Sequence, residues 1–406
     1  MKTRIPLEEA VETLEAFTPA LSAETVPLAE ACGRVAAEDV SAVMDLPPFR
    51  RSPFDGYAFH ACDIAGATEE RPVTLPILRE IPAGAEVLPQ LPPGYAVKIL
   101  TGAAVPDGAD TVMKFEDLTF TAETVTFVRP FGPRNVIMPG EDMVKGTVLV
   151  RRGEPLTGAG LGLLAGQGID RVRVYRRPRV ALLSNGAELV EPGQPRQGSQ
   201  IYNSSCHMLL QYIRDCGAQA VYEGIVGDSL DLLAARMDDA LSRYDMVVIT
   251  GGASVGDYDF CPRAAQKVGA ELLFRKVKYR PGGSMFAAVR DGRLLLSLSG
   301  NPAAAAVTML LLGRVGLYRL CGRTDRPCEW VDVALAEPLP ASRHLYTDSV
   351  LRGHLELRGG RAMLVLNEGR GNGAVLSMRR CDLLGVIPAG TGDLEAGTLV
   401  RAALLR

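Results

Sequence analysis

Three loops carry residues whose types and order could bind an anionic ligand. Each loop follows an apolar run that predicts a buried strand, and each contains glycines next to polar or acidic side chains. The stretches are Leu182–Gln194, Asp245–Phe260 and Leu296–Leu312. Sheets built from alternating strands and helices bind ligands outside the carboxyl ends of their strands. Loops that leave one sheet at the same edge would therefore form a single site.

The third loop has the pattern of a helix N-terminus. Asn301 stands where an N-cap belongs, and Pro302 occupies the first turn, where its missing N–H has no consequence. Gly300 lets a ligand approach the backbone, and the positive end of the helix dipole favours an anion there. The same pattern also fits a well-capped buried helix without a ligand.

The second loop adds negative charge to glycines. Gly251, Gly252 and Gly256 allow close approach and unusual backbone angles. Asp257 and Asp259 would repel an anion unless a divalent cation lies between, so this pair suggests Mg²⁺ bridging to a phosphate. The alternative is a glycine-rich connection whose aspartates are only solvated.

Basic residues follow these loops in the sequence. Lys276, Lys278 and Arg280 alternate along one run, which places them on one face of a strand. They could supply positive charge to an anion, although such a run is more often a solvated face.

The N-terminal half contains weaker candidates. Asp55 precedes a glycine in a proline-rich loop, where Asp-Gly is usually a turn former. Thr101 follows an apolar run, and Asp142 lies in a tight turn before another strand. The four histidines are dispersed, without a partner at metal-ligand or catalytic spacing, and are interpreted as structural.

The composition restricts the class of protein. The chain has 406 residues, of which 47% are apolar, and this predicts two to four domains with a large core. The 44 basic and 47 acidic residues give a net charge of −3, which argues against nucleic-acid binding by bulk electrostatics. No signal peptide is evident, and the most apolar run, Ala303–Leu312, is too short for a membrane span. The eight cysteines form no C-x-x-C motif and predict reduced thiols in the cytosol.

The order of the apolar patterns predicts the elements that position these residues. An amphipathic helix is expected from the first residues onward, followed by a β-rich region over 42–150. From Val180 strands alternate with helices, which predicts a mostly parallel sheet covered on both faces. After Leu320 the pattern returns to β, with a hairpin at Gly359–Gly360, and predicts a small barrel or sandwich.

Taken in order, these segments resemble the MoeA family, the molybdopterin molybdenumtransferases, whose vertebrate relative is the C-terminal domain of gephyrin. The combination of DGYA, GGxSxGDYD and GNPAA is specific, and order and spacing agree over almost the whole chain. The matching segments are LPPFRRSPFDGYAF, ILTGAAVPDGADTV, NVIMPGEDMVKGTVLVRRG, SNGAELVEPGQ, GSQIYNSS, DMVVITGGASVGDYD, RPGG and LSGNPAA.

The resemblance implies an elongated, multi-domain protein of the α/β and β classes. Its parts would be an N-terminal helical and linking domain (1–45 and 143–177), a β-rich inserted domain (46–142), a three-layer molybdopterin-binding α/β domain (178–325) and a C-terminal β-barrel (326–406). The chain would form a cytoplasmic homodimer with its sites between subunits, and it would bind neither nucleic acid nor a membrane.

The resemblance also implies a reaction. Molybdate would be inserted into molybdopterin, with adenylylated molybdopterin as the substrate, Mg²⁺ as the metal and AMP as a product. A molybdopterin adenylyltransferase would be the upstream donor. The catalytic residues carried over are Asp55, Thr101, Asp142, Glu188, Lys276 and Arg280. Those that bind the substrate would be Gly251, Gly252, Ser254, Gly256, Asp228, Ser299, Gly300, Asn301 and Pro302. The metal ligands would be Asp257 and Asp259.

Departures from the family pattern leave alternatives open. T-G-D-E-L becomes Asn185–Leu189, which loses one carboxylate, and P-G-K-P becomes Pro281–Ser284, which loses a lysine. L-P-G-N-P becomes Leu298–Pro302, and arginines common before G-E-D are here Ile137 and Met138. The alternatives are a non-catalytic molybdopterin-binding or scaffolding protein and a transferase that uses tungstate. A nucleotide-cleaving relative that shares only the α/β domain would not need the half that bears DGYA.

Overall fold

The computed structural model describes residues 2–86, 89–252, 260–341, 346–369 and 371–405. Within it the chain forms two compact units. The larger unit comprises Met1–Glu38, Arg152–Thr157 and Arg171–Arg406, and the smaller comprises Asp39–Arg151 and Gly158–Asp170. The division into four domains at the boundaries given above stays a prediction.

The strands and helices are numbered in chain order. The strands are β1 (Lys2–Ile5), β2 (Ala23–Pro27), β3 (Val40–Ser41), β4 (Gly56–Phe59), β5 (Val73–Ile81), β6 (Ala96–Ile99), β7 (Thr111–Lys114), β8 (Thr119–Phe120), β9 (Thr124–Phe127), β10 (Val148–Val150), β11 (Arg171–Tyr175), β12 (Arg179–Asn185), β13 (Leu189–Val190), β14 (Ile201–Tyr202), β15 (Gln219–Val226), β16 (Met246–Thr250), β17 (Glu271–Val277), β18 (Tyr279–Arg280), β19 (Phe286–Arg290), β20 (Arg293–Leu298), β21 (Glu329–Leu335), β22 (Asp348–Arg358), β23 (Arg361–Leu366), β24 (Leu383–Ile387) and β25 (Leu399–Leu404). The helices are α1 (Leu7–Phe17), α2 (Gly158–Gly166), α3 (Ser204–Asp215), α4 (Leu230–Arg243), α5 (Phe260–Lys267), α6 (Pro302–Thr308) and α7 (Arg314–Leu320).

The smaller unit is built on a six-stranded sheet, which confirms the predicted β-rich region. Its strand order is β7-β4-β6-β5-β9-β8. Aromatic side chains fill the core of this sheet, with the ring centroids of Phe59 and Phe127 4.4 Å apart. Gly56 begins β4, and a Cβ atom there would lie 1.8 Å from the carbonyl oxygen of Met113 on β7. The glycine that follows Asp55 is therefore required by the close approach of two strands.

The larger unit contains a seven-stranded sheet in the order β1-β17-β19-β20-β16-β12-β15. Neighbouring strands pair in parallel, except that β19 is antiparallel to both β17 and β20. Successive residues of β12 enter different cores, because side chains alternate across a strand. Leu182 belongs to the core shared with α1, α3, α6 and α7, whereas Leu183 belongs to the core shared with α4 and α5. Helices cover both faces, which confirms the predicted three-layer α/β domain.

The N-terminus differs from the predicted helix. The amphipathic pattern gives α1 over Leu7–Phe17, but residues Lys2–Ile5 form β1 at the edge of the seven-stranded sheet. Ile5 is the buried residue of this strand, so its sequence carries no alternating apolar pattern that could have predicted it. Backbone hydrogen bonding to β17, rather than side-chain burial, defines β1.

The helical path Pro302–Leu320 is longer than the apolar run that the sequence showed. A π-helical turn over Met309–Gly313 joins α6 to α7, and the resulting 19 residues are long and apolar enough to cross a membrane by length and composition alone. Of its most apolar stretch, 94% is buried inside the fold. In this structure the helix is a core element of the larger unit.

The C-terminal strands form a closed barrel rather than a sandwich. The order β22-β23-β21-β25-β24 is closed by the pairing of β22 with β24, and β18 adds to β22 in parallel. The predicted hairpin is confirmed, since Arg358 pairs with Arg361 across Gly359 and Gly360, which have φ values of 57° and 78°. Two consecutive positive φ angles are what a tight two-residue hairpin turn requires.

Candidate functional site at the carboxyl edge of the sheet

Three neighbouring parallel strands end level with one another. Ser184 of β12 is paired with Thr250 of β16, and Thr250 is paired with Leu298 of β20. The loops that follow start from one edge, as the sequence predicted. They also approach closely, because a Cβ atom on Gly251 would lie 2.0 Å from the carbonyl oxygen of Asn185. Gly251 has a φ of 86°, which glycine adopts readily.

A cavity of ≈ 720 Å³, called the edge cavity below, lies at this edge within the larger unit. It brings together most of the predicted site residues that the structure describes. The predicted residues that line it are Glu188, Asp228, Gly251, Gly252, Lys276, Arg280, Ser299, Gly300, Asn301 and Pro302. Four others, Ser254, Gly256, Asp257 and Asp259, lie outside the described residues.

The acidic side of the edge cavity is organised by Asn185, which the sequence reasoning did not select. Asn185 is buried, and its Nδ2 donates hydrogen bonds to the carbonyl oxygen of Val226 at 3.0 Å and to Oδ1 of Asp228 at 3.2 Å. The carboxylate of Glu188 lies so close to Gly186 that a Cβ atom there would be 2.6 Å from Oε2. Gly186 therefore leaves the space that Glu188 occupies. Asn185, which replaces the threonine of the family pattern, therefore holds the carboxylate of Asp228.

The basic side of the edge cavity carries several cationic side chains. Lys276, Lys278 and Arg280 make no ion pair with any residue that the structure describes. Lys276 has a φ of 62°, a left-handed conformation that costs a non-glycine residue about 1–3 kcal/mol. Its backbone is held there because its N–H donates to the carbonyl oxygen of Met285 at 2.8 Å. Arg4 of β1 also lines the cavity, and no sequence pattern pointed to it because β1 was not predicted.

The start of α6 follows the predicted pattern with one difference. Asn301 stands at the N-cap position and Pro302 is the first helical residue, but the Asn301 side chain makes no capping hydrogen bond. The N–H of Ala304 donates to the carbonyl oxygen of Asn372 at 3.1 Å. Pro302 has no N–H, and the amide of Ala304 is already bonded. The helix start therefore offers an anion fewer free amides than the sequence suggested.

The loop that contains Pro281 and Gly282 explains the missing lysine. A Cβ atom on Gly283 would lie 2.2 Å from the carbonyl oxygen of Tyr279 and 2.3 Å from that of Val277. The N–H of Val277 donates to the carbonyl oxygen of Gly283 at 2.9 Å, which fixes this contact. At the position where the family pattern has a lysine, the backbone of this chain packs so closely against neighbouring carbonyl groups that no side chain fits.

The acidic side chains of the edge cavity have the chemistry of ligands for a divalent cation. Glu188 and Asp228 are carboxylates on one cavity, and oxygen ligands of this kind are what Mg²⁺ prefers. Within the described ranges no cluster of three or more His, Cys, Asp or Glu side chains could hold a metal ion. The chemistry of these two carboxylates fits Mg²⁺, and the two predicted metal ligands, Asp257 and Asp259, lie outside the described residues.

In the smaller unit, the structure joins two predicted residues that are far apart in the sequence. The N–H and the hydroxyl of Thr101 both donate to Oδ1 of Asp55 at 2.7 Å. These two hydrogen bonds, the backbone one first, lower the pKa of the Asp55 carboxyl. Asp142 is exposed on another turn, where its N–H donates to the carbonyl oxygen of Leu46 at 3.0 Å. No hydrogen bond joins it to Asp55 or Thr101 in the described part of the chain.

The fold and the site together define a class of protein. A three-layer α/β domain has a cavity with basic and acidic side chains at its carboxyl edge, and the same chain carries a β-rich region and a closed barrel. Comparison with known proteins specifies this class further. A family model of the MoeA N-terminal region (domain I and II) matches residues 5–168, and one of a probable molybdopterin binding domain matches residues 181–317.

Full-length relatives agree with these matches. The chain is 33% identical over 413 residues to a molybdopterin molybdenumtransferase of Bacillus subtilis, covering 100% of this chain and 95% of the relative. A Staphylococcus aureus relative of the same description is 30% identical, covering 98% and 94%. The solved structure of a molybdopterin biosynthesis MoeA protein from Pyrococcus horikoshii superposes with a TM-score of 0.85 at 32% identity, covering 99% of both chains. The chain belongs to the MoeA family of molybdopterin molybdenumtransferases.

Proposed function

We propose that this chain inserts molybdate into molybdopterin during molybdenum cofactor biosynthesis, using adenylylated molybdopterin and Mg²⁺ and releasing AMP. The observation that carries the proposal is the edge cavity, which is lined by two carboxylates and by cationic side chains that form no ion pair with the described residues. Both substrates are anions, so the cations would bind them and the carboxylates would hold the metal. The names and full-length similarity of the relatives support the same activity.

Each side of the cavity has a distinct role in this proposal. Lys276 and Arg280 attract molybdate and offset negative charge that develops during transfer. Gly251, Gly252 and Gly300 let the pterin phosphate and the nucleotide approach the backbone. Glu188 and Asp228 would hold Mg²⁺ together with Asp257 and Asp259. When bound, Mg²⁺ supplies positive charge that neutralises phosphate oxygens.

The remaining predicted residues are proposed to act across a homodimer. Asp55, Thr101 and Asp142 of one subunit would complete the edge cavity of another copy of the chain. Asp55 suits such a role because two hydrogen bonds from Thr101 hold its carboxylate in place and lower its pKa. A cytoplasmic molybdopterin adenylyltransferase would supply the adenylylated substrate.

The direct test supplies purified protein with adenylylated molybdopterin, Mg²⁺ and molybdate and measures AMP. The proposal expects AMP release that depends on molybdate. The absence of release at any molybdate concentration, together with calorimetric binding of the pterin, would establish the non-catalytic alternative instead. A parallel series with tungstate compares the two oxyanions, and a higher kcat/KM for tungstate would reassign the substrate.

The dimer is tested by mixing two variants that each lack one part of the site. Asp55→Ala and Glu188→Gln should each be inactive alone. If sites are shared between subunits, heterodimers formed from an equal mixture contain one intact site, and about a quarter of the wild-type activity returns. If both residues serve a site in their own chain, the mixture stays inactive.

A further inference from the structure

One cation of the edge cavity belongs to no motif of the sequence. Arg4 is exposed on β1 and lines the cavity together with Lys276, Lys278 and Arg280. Like those three side chains, it makes no ion pair with any residue that the structure describes. Its neighbour Lys2 differs, because Nζ of Lys2 lies 2.8 Å from Oε1 of Glu9. A cavity guanidinium that has no ion-pair partner among the described residues requires an explanation that the paired Lys2 side chain does not.

Strand pairing places Arg4 beside Lys276. Thr3 is level with Arg275 and Ile5 with Val277, so Arg4 and Lys276 occupy the intervening positions of two adjacent strands. The N–H of Lys278 donates to the carbonyl oxygen of Ile5 at 2.9 Å, and Ile5 is buried in the core. The backbone on the C-terminal side of Arg4 is therefore fixed against β17.

The two adjacent residues share an unusual backbone conformation. Arg4 has a φ of 51° and Lys276 a φ of 62°, both in the left-handed region that L residues other than Asn and Asp rarely adopt. Strain of this kind persists where the surrounding structure enforces it, and it concentrates at functional sites. The left-handed conformation occurs at two adjacent positions, Arg4 and Lys276, that both line one cavity. We therefore expect Arg4 to serve the same ligand as Lys276.

We propose that Arg4 is a substrate-binding residue whose guanidinium contacts a tetrahedral oxyanion in the edge cavity, either free molybdate or a phosphate of the adenylylated pterin. This inference rests on the proposed function and adds a residue to it. A guanidinium presents five N–H donors in a planar fork that suits an oxyanion. Gly283 has no side chain where the family pattern has a lysine, and Arg4 supplies a positive charge to the same cavity.

The test measures initial rates of AMP release against each substrate in turn. Arg4→Asn removes the charge with a residue that tolerates a left-handed backbone, and Arg4→Gly does so without strain, so at least one of them keeps the fold. Arg4→Lys keeps a charge without the fork. Lys2→Asn is the matched control, since it removes the same charge from the same strand. Melting temperatures verify that each variant is folded.

Arg4→Asn and Arg4→Gly should raise one KM about tenfold and change kcat less than about twofold, as expected for a lost charged hydrogen bond. Arg4→Lys should recover part of this loss, and Lys2→Asn should match the wild type. A rise in the KM for molybdate identifies the free oxyanion as the group bound, and a rise in the KM for the pterin identifies the phosphate. Wild-type KM values for both substrates in the two neutral variants overturn the proposal.

Failure of the proposed function would be visible separately, because the wild type would then release no AMP. In that case equilibrium dialysis with molybdate and with AMP tests Arg4 directly. Weaker binding of either anion by Arg4→Asn than by Lys2→Asn supports the assignment. Equal binding by both variants, or no binding by the wild type, overturns it.

Discussion

Two cavities of the larger unit are lined by basic side chains, and they differ in what those side chains contact. In the edge cavity, Arg4, Lys276, Lys278 and Arg280 form no ion pair with the described residues. A second cavity, of ≈ 320 Å³, is called the arginine cavity here. The arginines that line it are Arg34, Arg176, Arg177, Arg214 and Arg323.

Most of the arginine cavity's charge is neutralised within the fold. Arg34 pairs with Glu24, and Arg323 pairs with Asp325. Arg176 donates two hydrogen bonds to the carboxylate of Asp245, at 2.6 and 2.7 Å. The number of basic residues at a cavity therefore does not identify a ligand site. The informative property is whether their acidic partners are already present, and by this property the edge cavity is the candidate site for an external anion.

The largest effect on activity is expected at Lys276. Lys276→Asn removes the charge and tolerates the left-handed backbone, so kcat/KM for molybdate should fall at least about a hundredfold, while the melting temperature stays within a few degrees. Lys267→Asn removes an exposed lysine that pairs with Asp231 and should leave the rate unchanged. If Lys276→Asn kept a rate close to that of the wild type, the absence of ion pairs among the described residues of the edge cavity would no longer distinguish it from the arginine cavity as a ligand site.

The largest effect on stability is expected at Gly283. Gly283→Ala places a Cβ atom against two carbonyl oxygens, so the free energy of unfolding should fall by about 2 kcal/mol or more. Gly162→Ala in α2, where nothing lies within 4 Å, should be neutral or slightly stabilising. Gly283→Lys should likewise destabilise rather than add a working cation. Denaturant unfolding measures these changes, and a Gly283→Lys variant that is both stable and faster would show that the loop adapts.

In the arginine cavity, breaking a pair should reduce stability rather than activity. Asp245→Asn should lower the free energy of unfolding by about 2 kcal/mol, because it weakens charged hydrogen bonds from Arg176 and from the N–H of Arg179. The exposed control Asp239→Asn should cost less than about 1 kcal/mol. Both variants should keep wild-type AMP release, and a large loss of rate in Asp245→Asn would give the arginine cavity a functional role.

The same pair predicts a pH dependence. Burial alone would raise the pKa of Asp245, but hydrogen bonds from Arg176 and Arg179 outweigh it and lower the pKa. A lowered pKa in the folded state stabilises the protein above the ordinary aspartate range, and this contribution is lost as the pH falls below about 4. The stability difference between wild type and Asp245→Asn should therefore be present at neutral pH and shrink below pH 4. A difference that persists there would point to packing rather than charge.

The smallest effect is expected from thiol reagents. Burial raises the pKa of Cys216 to about 11 and that of Cys321 to about 12, although both thiols lie on the arginine cavity. Nearby arginines, among them Arg323, lower both pKa values, but burial outweighs them. Alkylation of the native protein at neutral pH, mapped by mass spectrometry, should modify the exposed Cys32 and Cys62 first. Rapid modification of Cys216 or Cys321 would show that burial does not protect these thiols.

The sequence predicted those parts of the fold that repeat a regular pattern. Alternating strands and helices gave the three-layer sheet, and Gly359–Gly360 gave a hairpin whose register the structure confirms. The strand β1 escaped prediction because backbone pairing with β17 defines it and only Ile5 is buried. Arg4, which lies on this strand, was therefore not predicted as a site residue either. Site residues that follow strands with a regular apolar pattern could be predicted from the sequence. Site residues on the edge strand β1, which has no such pattern, could not.

The pair Asp55–Thr101 illustrates a second limit. Each residue alone resembled an ordinary turn or strand end, and their shared hydrogen bonds depend on a separation of 46 residues that no local pattern reports. Asn185 was missed for a related reason, since its role depends on the position of Asp228. The residue types in each segment were enough to identify the loops of the site. The hydrogen-bond partners of each side chain could be identified only from the folded structure.

The most direct test of the account is a crystal structure of the protein with molybdate and AMP, analysed by anomalous scattering from molybdenum. Both cavities are present in the same crystal, so each serves as the control for the other. We expect an anomalous peak in the edge cavity, within hydrogen-bonding distance of Lys276, Arg280 or Arg4, and none in the arginine cavity. A peak at Arg177 or Arg214 with an empty edge cavity would contradict it.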